Sequence, residues 1–171
     1  MNRLLGVGAP LLVTWEITQT VVQQFQIEAK QDGAKFIEAE HMLLALAADK
    51  DSEAARLLSE FGVDHERLAS ALDEEHHQTL AFAGISAPTQ RLVRPTEVTS
   101  SLSLGTSAKA AVRRALIGSH HDRRARLRSS NLLAGILEAE LGTVPRALAI
   151  AGIDRAAIIA RARGRVPEQP C

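Results

Sequence analysis

The chain has 171 residues, enough for one domain or for two small, closely packed halves. Hydrophobic residues make up 46% of the sequence, but tyrosine is absent, tryptophan occurs once and phenylalanine four times. We therefore expect an aliphatic core, and a composition rich in alanine and leucine favours helices. The single cysteine, Cys171, excludes an internal disulfide and a cysteine-ligated metal cluster.

The net charge of zero conceals an asymmetry between the two halves of the sequence. Residues 1–85 contain 6 Lys and Arg against 14 Asp and Glu, a net charge of −8. Residues 86–171 contain 14 and 6, a net charge of +8. The two halves can therefore attract each other, or each can present its own sign to a partner.

Localisation and metal binding can also be addressed from the sequence. No segment approaches the ~20 apolar residues of a membrane span. The short apolar start leads directly into an amphipathic pattern, so we expect no signal peptide and a cytoplasmic protein. The pairs His76-His77 and His120-His121 are adjacent in sequence and cannot converge on one ion from a helix. We expect neither a metal nor a cofactor.

The first predicted element is an amphipathic helix that runs from a cap at Thr14 to about Gln31. The rest of the chain contains an internal duplication with an offset of 90 residues. The segment EHMLLALAADKDSEAARLLSEFGVDHERL, which starts at Glu40, aligns without a gap with SNLLAGILEAELGTVPRALAIAGIDRAAI, which starts at Ser130. The paired positions include Leu43/Leu133, Arg56/Arg146, Leu58/Leu148, Gly62/Gly152 and Asp64/Asp154.

Each copy is predicted to fold as two helices, a Gly-x-Asp step and a further helix. Glycine ends a helix in the left-handed conformation, and aspartate caps the helix that follows. A leading helix also precedes the second copy, from about Thr106 to Ile117. We therefore expect an all-α fold of eight helices, in two tandem four-helix repeats related by a pseudo-two-fold axis, without a sheet.

The predicted boundaries follow from the duplication and from the composition between its copies. Residues 77–103 contain glycine, proline, serine and threonine without periodicity, which predicts an extended linker. The predicted segments are an N-terminal extension at 1–12, repeat 1 at 13–76, the linker at 77–103, repeat 2 at 104–163 and a flexible tail at 164–171.

The block IEAEHMLLAL, from Ile37 to Leu46, resembles the I-G-T-E-H-[IL]-L-L-[GA]-L signature of the Clp N-terminal repeat domain. That domain heads the bacterial Hsp100 unfoldases of the ClpA, ClpB and ClpC type. The resemblance covers about Val13 to Arg163, nearly the whole chain. It implies a protein-binding module that recruits substrates and adaptors. In ClpC-type members it also implies binding of arginine-phosphorylated proteins, with the glutamate of the Glu-His pair accepting the guanidinium.

The resemblance places four residues at a partner-binding surface: Glu40, His41, Thr14 and Leu104. In the second repeat Ser130 and Asn131 replace the Glu-His pair, which implies a degenerate second site and one functional site per chain. Glu40 has two interpretations, as a first-turn acid that complements the helix dipole or as a guanidinium acceptor. His41 is interpreted either as a structural residue or as part of the binding surface.

Enzymatic function is not expected from this sequence. A P-loop requires Gly-x-x-x-x-Gly-Lys followed by serine or threonine. The four lysines are followed instead by glutamine, phenylalanine, aspartate and alanine. We therefore expect no ATP binding and interpret the chain as a stand-alone relative of the unfoldase N-terminal domain. The expected function is that of an adaptor, a substrate- or degron-binding protein, or a regulatory decoy for a Clp unfoldase.

A basic cluster in the second half indicates an alternative function, that of a nucleic-acid-associated regulator. Trp15 and all four phenylalanines precede residue 86, so no aromatic stacking platform accompanies these arginines. The protein-binding function is therefore preferred. The cluster contains Arg113, Arg114, Arg123, Arg124, Arg126 and Arg128.

Overall fold

The structure is a computed structural model that describes residues 19–85, 101–119 and 127–164. Within these ranges the regular secondary structure consists of eight α-helices, and an isolated parallel bridge pairs Ile37 with Leu104. The predicted all-helical class is therefore confirmed. The helices are α1 Gln19–Gln31, α2 Ala39–Ala48, α3 Glu53–Glu60, α4 His65–Phe82, α5 Thr106–Ser119, α6 Ser129–Leu137, α7 Thr143–Ile150 and α8 Arg155–Ala162.

The duplicated Gly-x-Asp step ends one helix and begins the next in both repeats. Gly62 and Gly152 have φ angles of 65° and 63°, in the left-handed region that favours glycine. The side chains of Asp64 and Asp154 accept hydrogen bonds from the backbone N–H three residues later, at 2.8 and 3.0 Å. These four residues therefore have the capping roles that the sequence predicts.

The two repeats are wrapped around each other. The central helices α2 and α6 contact each other, α4 of repeat 1 packs on α7 of repeat 2, and α8 packs on α3. Each of these contacts recurs when the two repeats are exchanged, as the predicted pseudo-two-fold symmetry requires. Leu58 and Leu148 occupy equivalent core positions, 1% and 2% exposed. Among the described helices, none combines the length and apolar character that a bilayer crossing requires.

Two helices end later than the sequence suggests. Residues 77–82, which we predicted as the beginning of the extended linker, form the last turns of the 18-residue helix α4. No helix-breaking residue occurs there before Gly84, which has a φ of 74°. Helix α5 extends to Ser119, two residues beyond its predicted end. Thr14, most of the predicted linker and most of the tail lie outside the described residues.

Candidate functional site

The start of α2, which carries the Glu-His pair, is anchored to repeat 2. Glu38 Oε2 accepts hydrogen bonds from the backbone N–H and the hydroxyl of Ser107, at 2.9 and 2.5 Å. The Ser107 hydroxyl in turn accepts a hydrogen bond from the backbone N–H of Ala39 at 2.8 Å. Ile37 makes two backbone hydrogen bonds with residues 103–105. These contacts fix the first turn of α2 against the start of α5.

Leu104, a predicted partner-binding residue, takes part in this anchor. It forms the isolated bridge with Ile37, and its side chain is partly buried against the hydrophobic core. The structure therefore places Leu104 in the packing between the two repeats.

His41 braces the start of α2 from within repeat 1. Its side chain is 3% exposed, and both ring nitrogens have partners. Nδ1 accepts a hydrogen bond from the backbone N–H of Glu38 at 2.9 Å, and Nε2 lies 3.3 Å from Asp32 Oδ2. Because Nδ1 is an acceptor, the neutral ring carries its proton on Nε2 and donates it to Asp32. This geometry supports the structural interpretation of His41, which links α2 to the end of α1.

Glu40 differs from its neighbour because its carboxylate is left without a side-chain partner among the described residues. It is half-buried, and burial raises its pKa above the ordinary value of a glutamate. Its backbone hydrogen bond opposes this rise, whereas the charges of Glu38 and Asp32 add to it. A cation that binds to a desolvated carboxylate of this kind stabilises its charged form.

Glu40 and His41 line a cleft of about 560 Å³ between helices α1, α2 and α4 of repeat 1 and helix α7 of repeat 2. Five carboxylates contribute to its lining, against a single arginine. The cleft is therefore acidic and belongs to both repeats. Its charged or titratable lining residues are Glu28, Asp32, Glu40, Asp73, Glu75, His41, His76 and Arg146.

The arginine of the cleft is already paired. Nε and Nη2 of Arg146 lie 2.7 and 2.6 Å from Glu75 Oε1, on a side chain that is 5% exposed. The hydroxyl of Thr79 donates a hydrogen bond to the same oxygen at 2.8 Å. Because Glu75 offsets the charge of Arg146, the other carboxylates give the cleft a negative potential that attracts cations.

The corresponding positions of repeat 2 are built differently. Ser130, the counterpart of Glu40, is buried, and its hydroxyl donates a hydrogen bond to Glu53 Oε2 at 2.8 Å. Glu53 corresponds to Thr143, which lines the acidic cleft from the other repeat. A carboxylate therefore does lie beside Ser130, although we expected this position to lack one. The alignment missed it because the contact joins α6 to α3 of the other repeat.

The predicted basic cluster is only partly described. Arg113 is exposed on α5, whereas Arg114 donates a hydrogen bond through Nε to the carbonyl of Gly135 at 2.7 Å. Arg128 is exposed immediately before α6. The other three arginines and Thr14 lie outside the described residues. Within the described ranges, no group of three or more His, Cys, Asp or Glu side chains is placed to hold a metal ion.

Comparison with known proteins assigns this doubled helical fold to a class of protein-interaction modules. The family model of the Clp repeat (R) N-terminal domain matches residues 16–151, and the chain belongs to this family. The chaperone protein ClpB of Rhodopseudomonas palustris is 34% identical over 73 residues, which are 43% of this chain and 8% of that chaperone. The chain thus aligns with a small fraction of this curated relative.

Solved structures agree with this fold. The N-terminal domain of the chaperone ClpD from Arabidopsis thaliana superposes with a TM-score of 0.64 at 18% identity, over 92% of this chain and 98% of that chain. The Hsp104 N-terminal domain from Candida albicans superposes with a TM-score of 0.58 at 14% identity, over 90% and 93%.

Proposed function

We propose that this chain binds protein partners of a Clp unfoldase system by accepting their arginine side chains in the acidic cleft at Glu40. The observation that carries the proposal is the half-buried carboxylate of Glu40, which has no side-chain partner among the described residues and lines a cleft between the repeats. In this function the protein acts as an adaptor, as a substrate- or degron-binding factor, or as a regulatory decoy.

The geometry of the cleft supports an arginine ligand. Its volume of about 560 Å³ is large enough for a long side chain together with the neighbouring backbone. A guanidinium group presents a planar fork of donors that matches a carboxylate in two parallel hydrogen bonds. The anchors at Glu38 and His41 hold the first turn of α2 in place, so little order has to be created on binding.

Electrostatics distinguish between two forms of the ligand. An arginine side chain carries one positive charge, whereas phosphorylation adds a negatively charged group to the guanidinium. In this cleft the added charge faces several carboxylates, and Arg146, the arginine that could meet it, is engaged by Glu75. We therefore expect both the unmodified and the phosphorylated arginine to bind at Glu40, and the unmodified arginine to bind more tightly.

Isothermal titration with a blocked tripeptide, acetyl-Gly-Arg-Gly-amide, tests the proposal. We expect binding at one site per chain, loss of binding in Glu40→Gln, and little change in Ser130→Ala. The peptide in which citrulline replaces arginine should bind weakly, because citrulline keeps the shape of arginine and lacks its charge. The phosphoarginine form of the peptide should bind less tightly than the unmodified form.

Glu74→Gln is the matched control, since Glu74 is an exposed glutamate of α4 outside the cleft lining and its replacement removes the same charge. Binding that is equally sensitive to both glutamate variants would reflect net charge alone and contradict the proposal. Equal binding of the citrulline peptide would also contradict it.

A further inference from the structure

At two positions that line the acidic cleft of repeat 1, repeat 2 carries a glycine and an arginine. The offset of 90 residues pairs Glu28 with Gly118 and Asp73 with Arg163. In the folded chain these two residues are in contact, because a Cβ atom on Gly118 would overlap the guanidinium of Arg163. The absence of a side chain at 118 therefore makes room for an arginine from α8.

A carboxylate of repeat 2 holds this guanidinium with good geometry. Nε of Arg163 donates a hydrogen bond to Glu138 Oε1 at 3.0 Å and Nη2 donates one to Oε2 at 2.9 Å, the bidentate arrangement typical of arginine–carboxylate pairs. Nη2 also reaches the backbone carbonyl of Arg114 at 3.4 Å. The Arg163 side chain is 9% exposed and its partner Glu138 32%, whereas Arg146 and Arg161, which also pair with glutamates, are 57% and 54% exposed.

One nitrogen of the group remains without a partner. Nη1 of Arg163 is buried and makes no hydrogen bond with any of the residues that the structure describes. Burying an unsatisfied charged donor costs free energy, so the surroundings are not fully matched to this particular side chain. Arg163 is also the C-cap residue of α8, so its side chain can leave the pocket without unwinding the interior of a helix.

We infer that repeat 2 contains a second guanidinium site, framed by Glu138, the carbonyl of Arg114 and Gly118, and that Arg163 occupies it as a ligand from the same chain. The site has the chemistry of a receptor for arginine side chains and is closed to external ones while Arg163 is bound. This inference does not depend on the proposed function of Glu40, since it rests on a different carboxylate and a different repeat.

Removal of the internal ligand tests this inference directly. The full chain with Arg163→Ala should melt at a lower temperature than the wild type, because Glu138 loses its counter-charge. Methylguanidinium chloride should then raise its melting temperature saturably. At ten times the dissociation constant the expected rise is about 3–6 °C. Methylammonium chloride and sodium chloride at the same concentration should not reproduce it, and the wild type should show no such rise.

Two variants serve as controls for this rescue. Arg161→Ala removes an arginine from the same helix that forms a comparable pair with Glu60 at an exposed position, so no pocket for methylguanidinium should result. The double variant Arg163→Ala/Glu138→Ala lacks the acceptor and should not respond either. A rise in either control equal to that of Arg163→Ala, or no specific rise in Arg163→Ala, would overturn the inference.

A measurement on the wild type keeps the inference testable if Arg163→Ala does not fold. The Nε proton of Arg163 should exchange with water far more slowly than that of Arg161 in nuclear magnetic resonance spectra at neutral pH. The reason is that its donor is sequestered with Glu138 in the second site. Equal exchange rates for the two arginines would show that Arg163 does not occupy a closed site.

Discussion

Repeats 1 and 2 share the residues that specify the scaffold and differ at the positions that line the acidic cleft in repeat 1. The shared residues are the Gly-x-Asp steps and the buried leucines. At three cleft positions repeat 1 has carboxylates where repeat 2 has a glycine, a serine and an arginine, in the pairs Glu28/Gly118, Glu40/Ser130 and Asp73/Arg163. The fold is therefore the same in both copies, whereas the charges at these three positions differ between them.

Two ion pairs join arginines of repeat 2 to glutamates of repeat 1. Arg146 of repeat 2 pairs with Glu75 of repeat 1, and Arg161 pairs with Glu60. Some of the opposite charges of the two halves therefore neutralise each other within the molecule. The exposed pair between Arg161 and Glu60 contributes little to stability, whereas the pair with the buried Glu75 offsets a carboxylate that would otherwise be costly to bury.

The largest effect is expected where the two repeats are most alike. Leu58→Ala and Leu148→Ala each remove a fully buried side chain at equivalent positions, and each should lower the free energy of unfolding by about 2–5 kcal/mol. Urea denaturation of both variants measures this loss. If the wild-type midpoint is retained in both, the leucines are not equivalent core positions and the 90-residue alignment fails.

A smaller effect is expected where helix packing differs between the repeats. A Cβ atom at Gly135 of α6 would overlap the carbonyl of Ala111 and lie 2.7 Å from the backbone nitrogen of Ala115. At the equivalent position of repeat 1, Ala45 has a methyl group and is fully buried. Helix α5 therefore leaves no room at position 135 for the methyl group that repeat 1 accommodates at position 45.

Gly135→Ala should accordingly destabilise the protein by about 1–3 kcal/mol through overpacking. In an uncrowded helix the same replacement is stabilising by roughly 0.5–1 kcal/mol, because alanine has the higher helix propensity. The sign of the change in urea denaturation therefore decides between the two cases. A variant more stable than the wild type would show that α5 and α6 separate easily.

Comparison of the repeats also shows what could be predicted from the sequence. The scaffold was predictable because capping residues and apolar periodicity act locally, as at Gly62 and Asp64. The end of α4 was missed because the segment 77–82 has no apolar periodicity, yet it also contains no helix breaker. Glu40 was identified through family resemblance and does line a cleft, and its binding role stays a prediction.

Other parts of the site could not be predicted, because they depend on contacts between distant segments. Glu53 and Ser130 are 77 residues apart in sequence, and Arg146 and Glu75 are 71 residues apart. The alignment assigns each position to its own repeat, whereas the acidic cleft of repeat 1 is completed by Thr143 and Arg146 of repeat 2, and Ser130 of repeat 2 contacts Glu53 of repeat 1. Helix α3 of repeat 1 packs against α6 and α8 of repeat 2, and helix α7 of repeat 2 packs against α4 and α2 of repeat 1. An alignment of the two repeats does not contain these contacts.

The smallest expected effect is that of Glu40→Gln, which should raise stability at pH 7, whereas the preceding substitutions should lower it. Burial raises its pKa in the folded chain, so the folded state favours the protonated carboxyl. Its contribution to stability is present below the ordinary pKa of 4.5 and is lost as the pH rises through the higher, folded value. At pH 7 the ionised side chain therefore destabilises the fold, and Glu40→Gln should be at least as stable as the wild type. The advantage of the variant should disappear as the pH falls below 4.5. Glu74→Gln, which removes the same charge from an exposed position of α4, is the matched control and should gain less stability at pH 7, because its side chain stays in water when the chain folds. Urea denaturation at pH 7 and at pH 4 measures both differences.

A Glu40→Gln variant that is less stable than the wild type at pH 7 would mean that the carboxylate supports the fold. A variant that is stable but does not bind the arginine peptide would show that the buried carboxylate of Glu40 serves binding at the expense of stability.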